Sequence, residues 1–215
     1  MPERFERFVQ ERTVIAPVPL VPEIALHQAT EFSPLWVATS RELEGWDSSP
    51  YWAFPWAGGQ ALARHLLDHP ALVRGRVVFD FAAGSGLVAI AAARAGAARV
   101  VAADLDPFCA AAVRLNAALN AAAVEFRAGD PIGDPLPGFE VVLAGDVFYE
   151  RLLAERGLAW FRDLVSRGAR VLVGDPGRIY TPLEGLVELG VYDVPTTSEI
   201  EAHTLLRTRV YEVSA

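Results

Sequence analysis

The stretch FDFAAGSGLVAI, residues 79 to 90, decides the fold of this chain, because an apolar run passes through glycines into an alanine-rich segment. Read from Gly84, it fits the spacing G-x-G-x-x-A. Read from Asp80, it fits D-x-A-x-G-x-G. Both spacings belong to loops that join a β-strand to a helix and hold a cofactor at the helix N-terminus. The stretch therefore predicts the first strand–loop–helix unit of a Rossmann-like sheet.

Outward from this stretch, apolar strand-like runs alternate with helical runs. The predicted strands are residues 76–81, 98–106, 122–130, 139–146 and 167–175, and the predicted helices between them are residues 86–96, 107–120 and 150–165. This alternation is typical of an α/β, doubly wound, mostly parallel sheet with helices on both faces. A two-residue alternation over 206–212 indicates an edge strand.

The length of 215 residues fits one domain. We divide residues 1–215 into a leader, 1–57, that is irregular or helical and covers the cofactor site, and a Rossmann-like core, 58–215. Within the leader we expect a short helix from Glu23 to Gln28. The core opens with a helix from Gly58, since apolar residues recur at helical spacing up to Pro70.

The net charge of −8 argues against general binding to nucleic acid, which depends on neutralised phosphates. All 19 basic residues are arginine, which with the alanine excess indicates a GC-rich bacterial genome. No apolar run approaches the roughly 20 residues of a membrane span, so we expect a soluble, cytoplasmic protein. The one cysteine, Cys109, excludes an internal disulfide and reads as core, and the four histidines lack metal-ligand spacing.

Charge separates two cofactors for the glycine loop. A dinucleotide interpretation has Gly84, Gly86 and Ala89 at the right spacing and Asp104 about 20 residues on. However, Asp80 at the end of the strand would repel a pyrophosphate. S-adenosylmethionine carries an ammonium and a sulfonium instead, so we predict S-adenosylmethionine, with Asp80 near its methionine end. Asp104 would then bind the ribose hydroxyls, and Asp130 would accept a hydrogen bond from adenine unless it only shapes a turn.

With these residues in place, the chain resembles the seven-strand class I methyltransferases that use S-adenosylmethionine. Within them it is similar to the lysine methyltransferases of the electron transfer flavoprotein β subunit and their bacterial relatives. The resemblance covers about residues 20 to 180 and rests on VPEIALH, PYWAFPWAGGQALARHLLDHP, AGDVFYE and GDPGR. It implies a seven-stranded sheet with one reversed strand near the C-terminus.

The same resemblance implies site residues. Trp56 would lie beside the cofactor, and Gly58, Gly59 and Gln60 would open the covering helix. Ala82 stands where the family usually has glycine, and little is recognised beyond Arg178. The expected cofactor-binding residues are Trp56, Gln60, Asp80, Ala82, Gly84, Gly86, Asp104 and Asp130.

The segment DVFYE suggests where the methyl acceptor binds. We expect Asp146 to accept a hydrogen bond from the acceptor amine and Tyr149, with Phe148, to pack on the lysine stem. These aromatic residues could equally be ordinary packing, and Asp146 could instead cap the following helix. Trp52 and Phe54 fit either the core or a lid, and Asp175 and Arg178 fit either the substrate entrance or a turn.

The resulting hypothesis is a protein-lysine N-methyltransferase that acts on the electron transfer flavoprotein β subunit. An alternative acceptor is a ribosomal protein, L11 or L7/L12, or a small-molecule amine. More distant alternatives are a non-catalytic cofactor-binding scaffold and an NAD-dependent oxidoreductase. The sequence determines neither the number of methyl groups nor the oligomeric state.

Overall fold

A computed structural model describes residues 2–30, 32–42, 49–196, 201 and 203–214. In this part of the chain six α-helices alternate with nine strands. The helices are α1 (Pro2–Arg12), α2 (Phe32–Glu42), α3 (Ala57–Asp68), α4 (Leu87–Arg94), α5 (Pro107–Leu119) and α6 (Arg151–Ser166). The strands are β1 (Val14–Val18), β2 (Val21–Gln28), β3 (Val77–Phe81), β4 (Arg99–Asp104), β5 (Glu125–Ala128), β6 (Val141–Gly145), β7 (Arg170–Asp175), β8 (Leu186–Pro195) and β9 (Leu205–Val213).

Seven strands form one sheet in the order β5-β4-β3-β6-β7-β9-β8. Strands β3 to β7 pair in parallel, whereas β9 is antiparallel to both β7 and β8. The predicted fold, a mostly parallel seven-stranded sheet with a reversed strand near the C-terminus, is confirmed. The prediction that residues 206–212 form an edge strand is wrong, because β9 lies between β7 and β8 and the edge belongs to β8.

Helices cover both faces of the sheet. Alanine side chains of α4 and the apolar face of α3 pack on one face, and α6 packs on the other through Trp160, Phe161 and Leu164. The central strands are buried on both sides, which explains why they read as continuous apolar runs rather than alternating ones. The strand order reverses at β3, between β4 and β6, and this switch point is where open α/β sheets bind ligands.

The leader contains a β-hairpin rather than the helix expected from Glu23 to Gln28. Strand β2 spans Val21–Gln28 and pairs with β1. Its other backbone edge is bonded by two asparagines of α5: Asn120 Oδ1 accepts from Ala25 N at 3.1 Å, and Asn116 Oδ1 accepts from His27 N at 2.8 Å. These side chains satisfy an edge that has no neighbouring strand, and they fix the hairpin to the core.

Within the described residues, no helix has both the length and the apolar character that a membrane span requires. Those residues also contain no group of three or more histidine, cysteine or acidic side chains placed to hold a metal ion.

Candidate active site

A cavity of about 650 Å³ opens at the carboxyl ends of β3, β4 and β6. Most of the site residues expected from the sequence line it: Trp56, Asp80, Ala82, Gly84, Asp104, Asp130, Asp146 and Tyr149. The side chains come from separate strand ends and loops, and the parallel register of the sheet brings them to one edge. This cavity is therefore the candidate active site.

Two expected cofactor-binding residues, Gln60 and Gly86, do not line the cavity. Gln60 is buried; its Oε1 accepts from Leu20 N at 3.1 Å and its Nε2 donates to Pro55 O at 2.6 Å. It thus holds the hairpin and the FPW segment against α3. Gly86 has φ +81°, and a Cβ there would lie 3.1 Å from Val113 Cγ2. Both residues support the site from outside the cavity. The absence of a side chain at Gly86 lets α4 begin close to α5.

The glycine loop is fixed by two aspartates at neighbouring strand ends. Asp104 Oδ2 accepts from Gly84 N at 2.9 Å, and its Oδ1 accepts from Asp106 N at 3.0 Å. Asp80 is buried under the loop and accepts from Ala89 N at 2.9 Å. Burial raises the pKa of Asp80 to about 8, with a further rise from Asp104 and an opposing effect of the Ala89 amide.

The cavity is strongly acidic. Five carboxylates and the buried acid Asp80 line it against two arginines. The carboxylates are Asp104, Asp106, Asp130, Asp146 and Glu150, and the arginines are Arg156 and Arg178. Both arginines are already paired with carboxylates, Arg156 with Asp130 and Arg178 with Asp146. The lining is therefore short of positive charge, which favours a cationic ligand and disfavours a pyrophosphate.

Replacing Asp80 by asparagine tests this burial. Because the pKa of Asp80 is about 8 in the folded protein and about 4 when unfolded, the folded state retains a proton that the unfolded chain loses. The stability from that proton is fully present below pH 4 and is lost as pH rises through 8. We expect the unliganded Asp80→Asn variant to be more stable than wild type by at least about 1 kcal/mol at pH 8.5.

Urea denaturation of the unliganded proteins at pH 5 and pH 8.5 measures this difference. The substituted asparagine stays neutral at both pH values, so the variant should lose less stability over that range. Asp193→Asn, an exposed change of the same type on β8, is the control. Equal pH dependence in the wild type and the Asp80→Asn variant would contradict a buried, protonated Asp80.

Ala82 occupies a backbone conformation that favours glycine. Its φ is +52°, in the left-handed region, where a Cβ atom crowds the following carbonyl. This explains why the resemblance leads one to expect glycine here. We predict that Ala82→Gly raises the free energy of unfolding by about 0.5–1 kcal/mol, because relief of the clash exceeds the entropy gained by the unfolded chain.

Chemical denaturation checks the Ala82→Gly prediction against Ala159→Gly, at an exposed position within α6. The control should lose about 1 kcal/mol, because glycine destabilises a helix interior. A loss of stability in both variants would show that Ala82 is not strained.

Asp146 is more constrained than the sequence suggests. It follows β6 with φ +56° and is buried. Its Oδ2 accepts from the amides of Gly58 and Gly59 at the start of α3, and its Oδ1 accepts from Arg178 Nε at 2.9 Å and Nη2 at 2.6 Å. All four acceptor positions of the carboxylate are thus occupied.

The alternative that Asp146 caps the next helix is wrong, because Glu150 caps α6 through Leu152 N and Leu153 N. Asp146 instead caps α3, which is far away in sequence. Burial raises its pKa to about 6, although Arg178 opposes the rise.

Aromatic side chains form the mouth of the cavity. Tyr51 lies 5.5 Å from both Trp56 and Tyr149, measured between ring centroids, and Tyr51 and Tyr149 are about half exposed. Trp52 and Phe54 line the cavity from buried positions, so each is both core and lining. Phe148 is fully buried and does not line the cavity, so its expected contact with a lysine stem is wrong and packing is its role.

Asp130 lines the cavity and also shapes its own turn. Its Oδ1 accepts from Ile132 N at 2.9 Å, and its Oδ2 accepts from Arg156 Nη2 at 2.9 Å. The turn interpretation thus holds, and adenine binding by Asp130 stays a prediction. Cys109 is buried on α5 but also reaches the cavity wall, and Asp106 caps α5 by accepting from Phe108 N at 2.8 Å.

Sequence reasoning missed the partners of Arg178. Its guanidinium also binds Glu201, with Nη1 to Oε2 at 2.8 Å and Nη2 to Oε1 at 2.5 Å. Glu201 lies in the connection between β8 and β9, where the sequence offers no motif. Sequence reasoning also missed Tyr51. The aromatic residues that follow it in the sequence could have indicated its place at the cavity mouth.

Comparison with known proteins assigns the chain to a family. An electron transfer flavoprotein β-subunit lysine methyltransferase of Xenopus laevis is 37% identical over 211 residues, which cover 95% of this chain and 85% of that protein. The mouse protein of the same description is 34% identical over 97% of this chain and 84% of its own length. The chain belongs to the family of the electron transfer flavoprotein β-subunit lysine methyltransferases. The resemblance stated from the sequence is thereby confirmed.

Two further matches concern the methyltransferase core. The family model of ribosomal protein L11 methyltransferase matches residues 62–144, which run from α3 to β6. The structure of a magnesium protoporphyrin IX methyltransferase from Synechocystis with bound S-adenosylmethionine has a TM-score of 0.51 at 20% identity and covers 73% of this chain and 78% of that one. Both support a class I methyltransferase fold.

Proposed function

We propose that this protein transfers a methyl group from S-adenosylmethionine to the ε-amino group of a lysine in an electron transfer flavoprotein β subunit. The observation that carries the proposal is the 37% identity to a lysine methyltransferase of that description over 95% of the chain, since it includes the mouth of the cavity as well as the glycine loop. S-adenosylmethionine, predicted in preference to NAD, is supported by its presence in a solved methyltransferase of the same fold.

The residues of the cavity fit this cofactor. A sulfonium and an ammonium suit a lining in which carboxylates outnumber arginines. Asp80 is a buried acid that accepts one hydrogen bond, from Ala89 N, so it can also accept from the cofactor. Asp104 lies at the end of β4, where a carboxylate can accept from ribose hydroxyls. Trp56, Ala82 and Gly84 would contribute the walls, and Asp130 the adenine end.

The bound cofactor supplies a methyl carbon activated by positive sulfur. The protein then has two tasks, to align an acceptor amine with the methyl group and to exclude water. No protein group has to carry a methyl group or a new charge. A lysine has an ordinary pKa of about 10.4, and a dry, aromatic mouth lowers it by disfavouring the charged form. Tyr51, Trp56 and Tyr149 provide that mouth.

Asp146 and Tyr149 are the residues we propose to act on the acceptor. Asp146 Oδ1 would accept a hydrogen bond from the amine, in place of the bonds from Arg178, and orient its lone pair. Tyr149 is half exposed at the mouth, and desolvation of its inner side by the cavity wall raises its pKa to about 12. Its hydroxyl therefore stays protonated and can bind the amine, and its ring can pack on the lysine stem. The lysine enters as an ammonium, and water takes one proton from it before transfer, which leaves a neutral amine with a free lone pair. The nitrogen–methyl bond forms as the sulfur–methyl bond breaks, and water carries a second proton away from the methylated amine.

A ribosomal protein L11 acceptor is the alternative. Its support is the family model over residues 62–144, which include Asp80, Gly84 and Asp104 and exclude all three aromatic residues of the mouth and the residues from β7 onward. That match concerns the methyl donor more than the acceptor, so it gives little reason to prefer L11.

Methylation of purified candidates tests the proposal. The protein is incubated with labelled S-adenosylmethionine and, separately, with an electron transfer flavoprotein, ribosomal proteins L11 and L7/L12, and free lysine. We expect label in the flavoprotein β subunit, on lysine, with mass increases in steps of one methyl group. Label in L11 with none in the flavoprotein would replace the proposed acceptor.

An Asp104→Asn variant serves as the control for the donor site, because it removes the proposed ribose contact and leaves the mouth intact. Calorimetry should show weaker binding of S-adenosylmethionine in this variant. NAD binding to the wild type in place of S-adenosylmethionine would overturn the assignment of the cofactor.

A further inference from the structure

Two carboxylates bind the Arg178 guanidinium at the edge of the cavity, and a third, that of Asp175, lies near enough to Asp146 to raise its pKa. Asp146 and Glu201 bind the Arg178 guanidinium, and Asp175 Oδ1 accepts from Gly177 N, Arg178 N and Thr181 Oγ1. Asp175 is fully buried, and its Oδ2 has no hydrogen-bond partner among the described residues. This group of four side chains is therefore short of positive charge and can accommodate a second cation.

Arg178 makes the contacts that an incoming alkylammonium would need. Its guanidinium donates twice to Asp146 Oδ1, and its Cζ lies 5.9 Å from the centre of the Trp56 ring. A buried carboxylate next to an aromatic face is the arrangement that binds organic cations in proteins. Arg178 also lines the cavity itself, so it occupies this position from inside the site.

We propose that Arg178 occupies the amine subsite of the unliganded protein, and that a substrate lysine displaces its guanidinium from Asp146 Oδ1 while Arg178 remains paired with Glu201. This inference rests on the proposed function, because it takes the acceptor to be a lysine. Arg178 and Glu201 are then positioning residues that control access to Asp146.

The geometry makes the exchange possible without leaving a buried charge unpaired. Nη1 and Nη2 of Arg178 bind the two oxygens of Glu201 side by side, a complete bidentate pair. The bonds to Asp146 use Nε and share Nη2. When the lysine takes Oδ1, Arg178 still has its carboxylate partner, and Asp146 still has a cation.

Binding of n-butylammonium, which corresponds to the lysine side chain alone, tests the inference without methyl transfer. The unliganded full-length protein is titrated by calorimetry at pH 8.5, with sodium chloride at matched ionic strength. Arg178→Met removes the competing cation, and we expect its Kd for n-butylammonium to be at least about tenfold lower than that of wild type. The double variant Arg178→Met with Asp146→Asn should lose this gain.

A matched control is available in a second bidentate pair outside the cavity. Arg170 binds Glu212 through Nε at 2.8 Å and Nη2 at 2.9 Å. Arg170→Met removes a similar ion pair from the sheet, and we expect it to leave n-butylammonium binding unchanged.

Glu201→Gln separates positioning from a general structural role. In this variant Arg178 keeps only Asp146 as a charged partner and leaves it less readily, so n-butylammonium should bind about threefold or more weakly than to wild type. Arg178→Met and Glu201→Gln break the same network yet should change binding in opposite directions. A network that merely holds the fold would move both in the same direction, and that result would overturn the inference.

Circular dichroism shows whether each variant folds; if Arg178→Met does not, unchanged or tighter binding of n-butylammonium in Glu201→Gln would overturn the inference. The opposite signs together with no methylation of any lysine substrate would leave the cation subsite standing and remove the proposed function. Lysine methylation with unchanged n-butylammonium binding in Arg178→Met would support the proposed function and overturn the cation subsite.

Discussion

Replacing Gly58 by alanine is expected to lower the free energy of unfolding by about 3 kcal/mol or more. Here the start of α3 touches the ends of β6 and β7: a Cβ on Gly58 would lie 2.6 Å from Asp146 Oδ2 and would collide with Gly174 O. Both neighbours are held, one by the sheet and the other by its hydrogen bonds. Relief of this steric clash therefore requires α3 to move, and Trp56 would move with the helix, away from the cavity.

Gly59→Ala is the matched control, one residue along the same helix. A Cβ on Gly59 would contact only Val88 Cγ2, at 3.9 Å, which is an ordinary packing distance. We expect no loss of stability and a gain of up to about 1 kcal/mol, because alanine favours a helix over glycine. Thermal and urea unfolding of both variants, with calorimetric titration of S-adenosylmethionine, make the comparison. Similar stability of the two variants would mean that α3 does not pack on β7 as closely as described.

Replacing Asp146 by asparagine is expected to reduce turnover by about 100-fold or more while cofactor affinity stays within a few-fold. An amide cannot offer four acceptor positions, so either the α3 amides or Arg178 loses its partner, and the orienting acceptor for the amine is lost with them. We also expect a loss of about 1–3 kcal/mol in stability. Collapse of cofactor binding would instead assign Asp146 to the donor site.

The pH dependence of turnover is a second test of the role of Asp146. Because the pKa of Asp146 is about 6, wild-type turnover should fall as pH drops through 6, when the carboxylate takes up a proton. The asparagine variant should lack this dependence. Glu150→Gln, which removes one charge from the same cavity, should keep the wild-type profile.

The parts of the fold and site that the sequence predicted are those that depend on short spacings. Asp80, Gly84 and Asp104 are placed by one strand–loop–helix unit and the next strand, so their spacing in the sequence sets their spacing in space. The central strands are buried on both sides and read clearly as apolar runs. For such elements, local pattern and final structure agree.

The parts that the sequence did not predict depend on distant partners. Strand β2 was read as a helix because its backbone bonds go partly to Asn116 and Asn120, about 90 residues away. Asp146 was expected to serve the acceptor or the next helix, yet its partners are Gly58, Gly59 and Arg178. Glu201 belongs to a connection with no motif, and only the sheet order brings it to Arg178.

The position of β9 has a consequence for the order in which the protein can be completed during synthesis. A ribosome produces β8 before β9, but β9 lies between β7 and β8, so β8 has no strand to join when it emerges. Until β9 is available, β7 presents an open edge, and α3, which packs on β7 and both following strands, lacks part of its support. The cavity that depends on α3 through Gly58 and Trp56 would thus become competent late, after Val213 has left the ribosome.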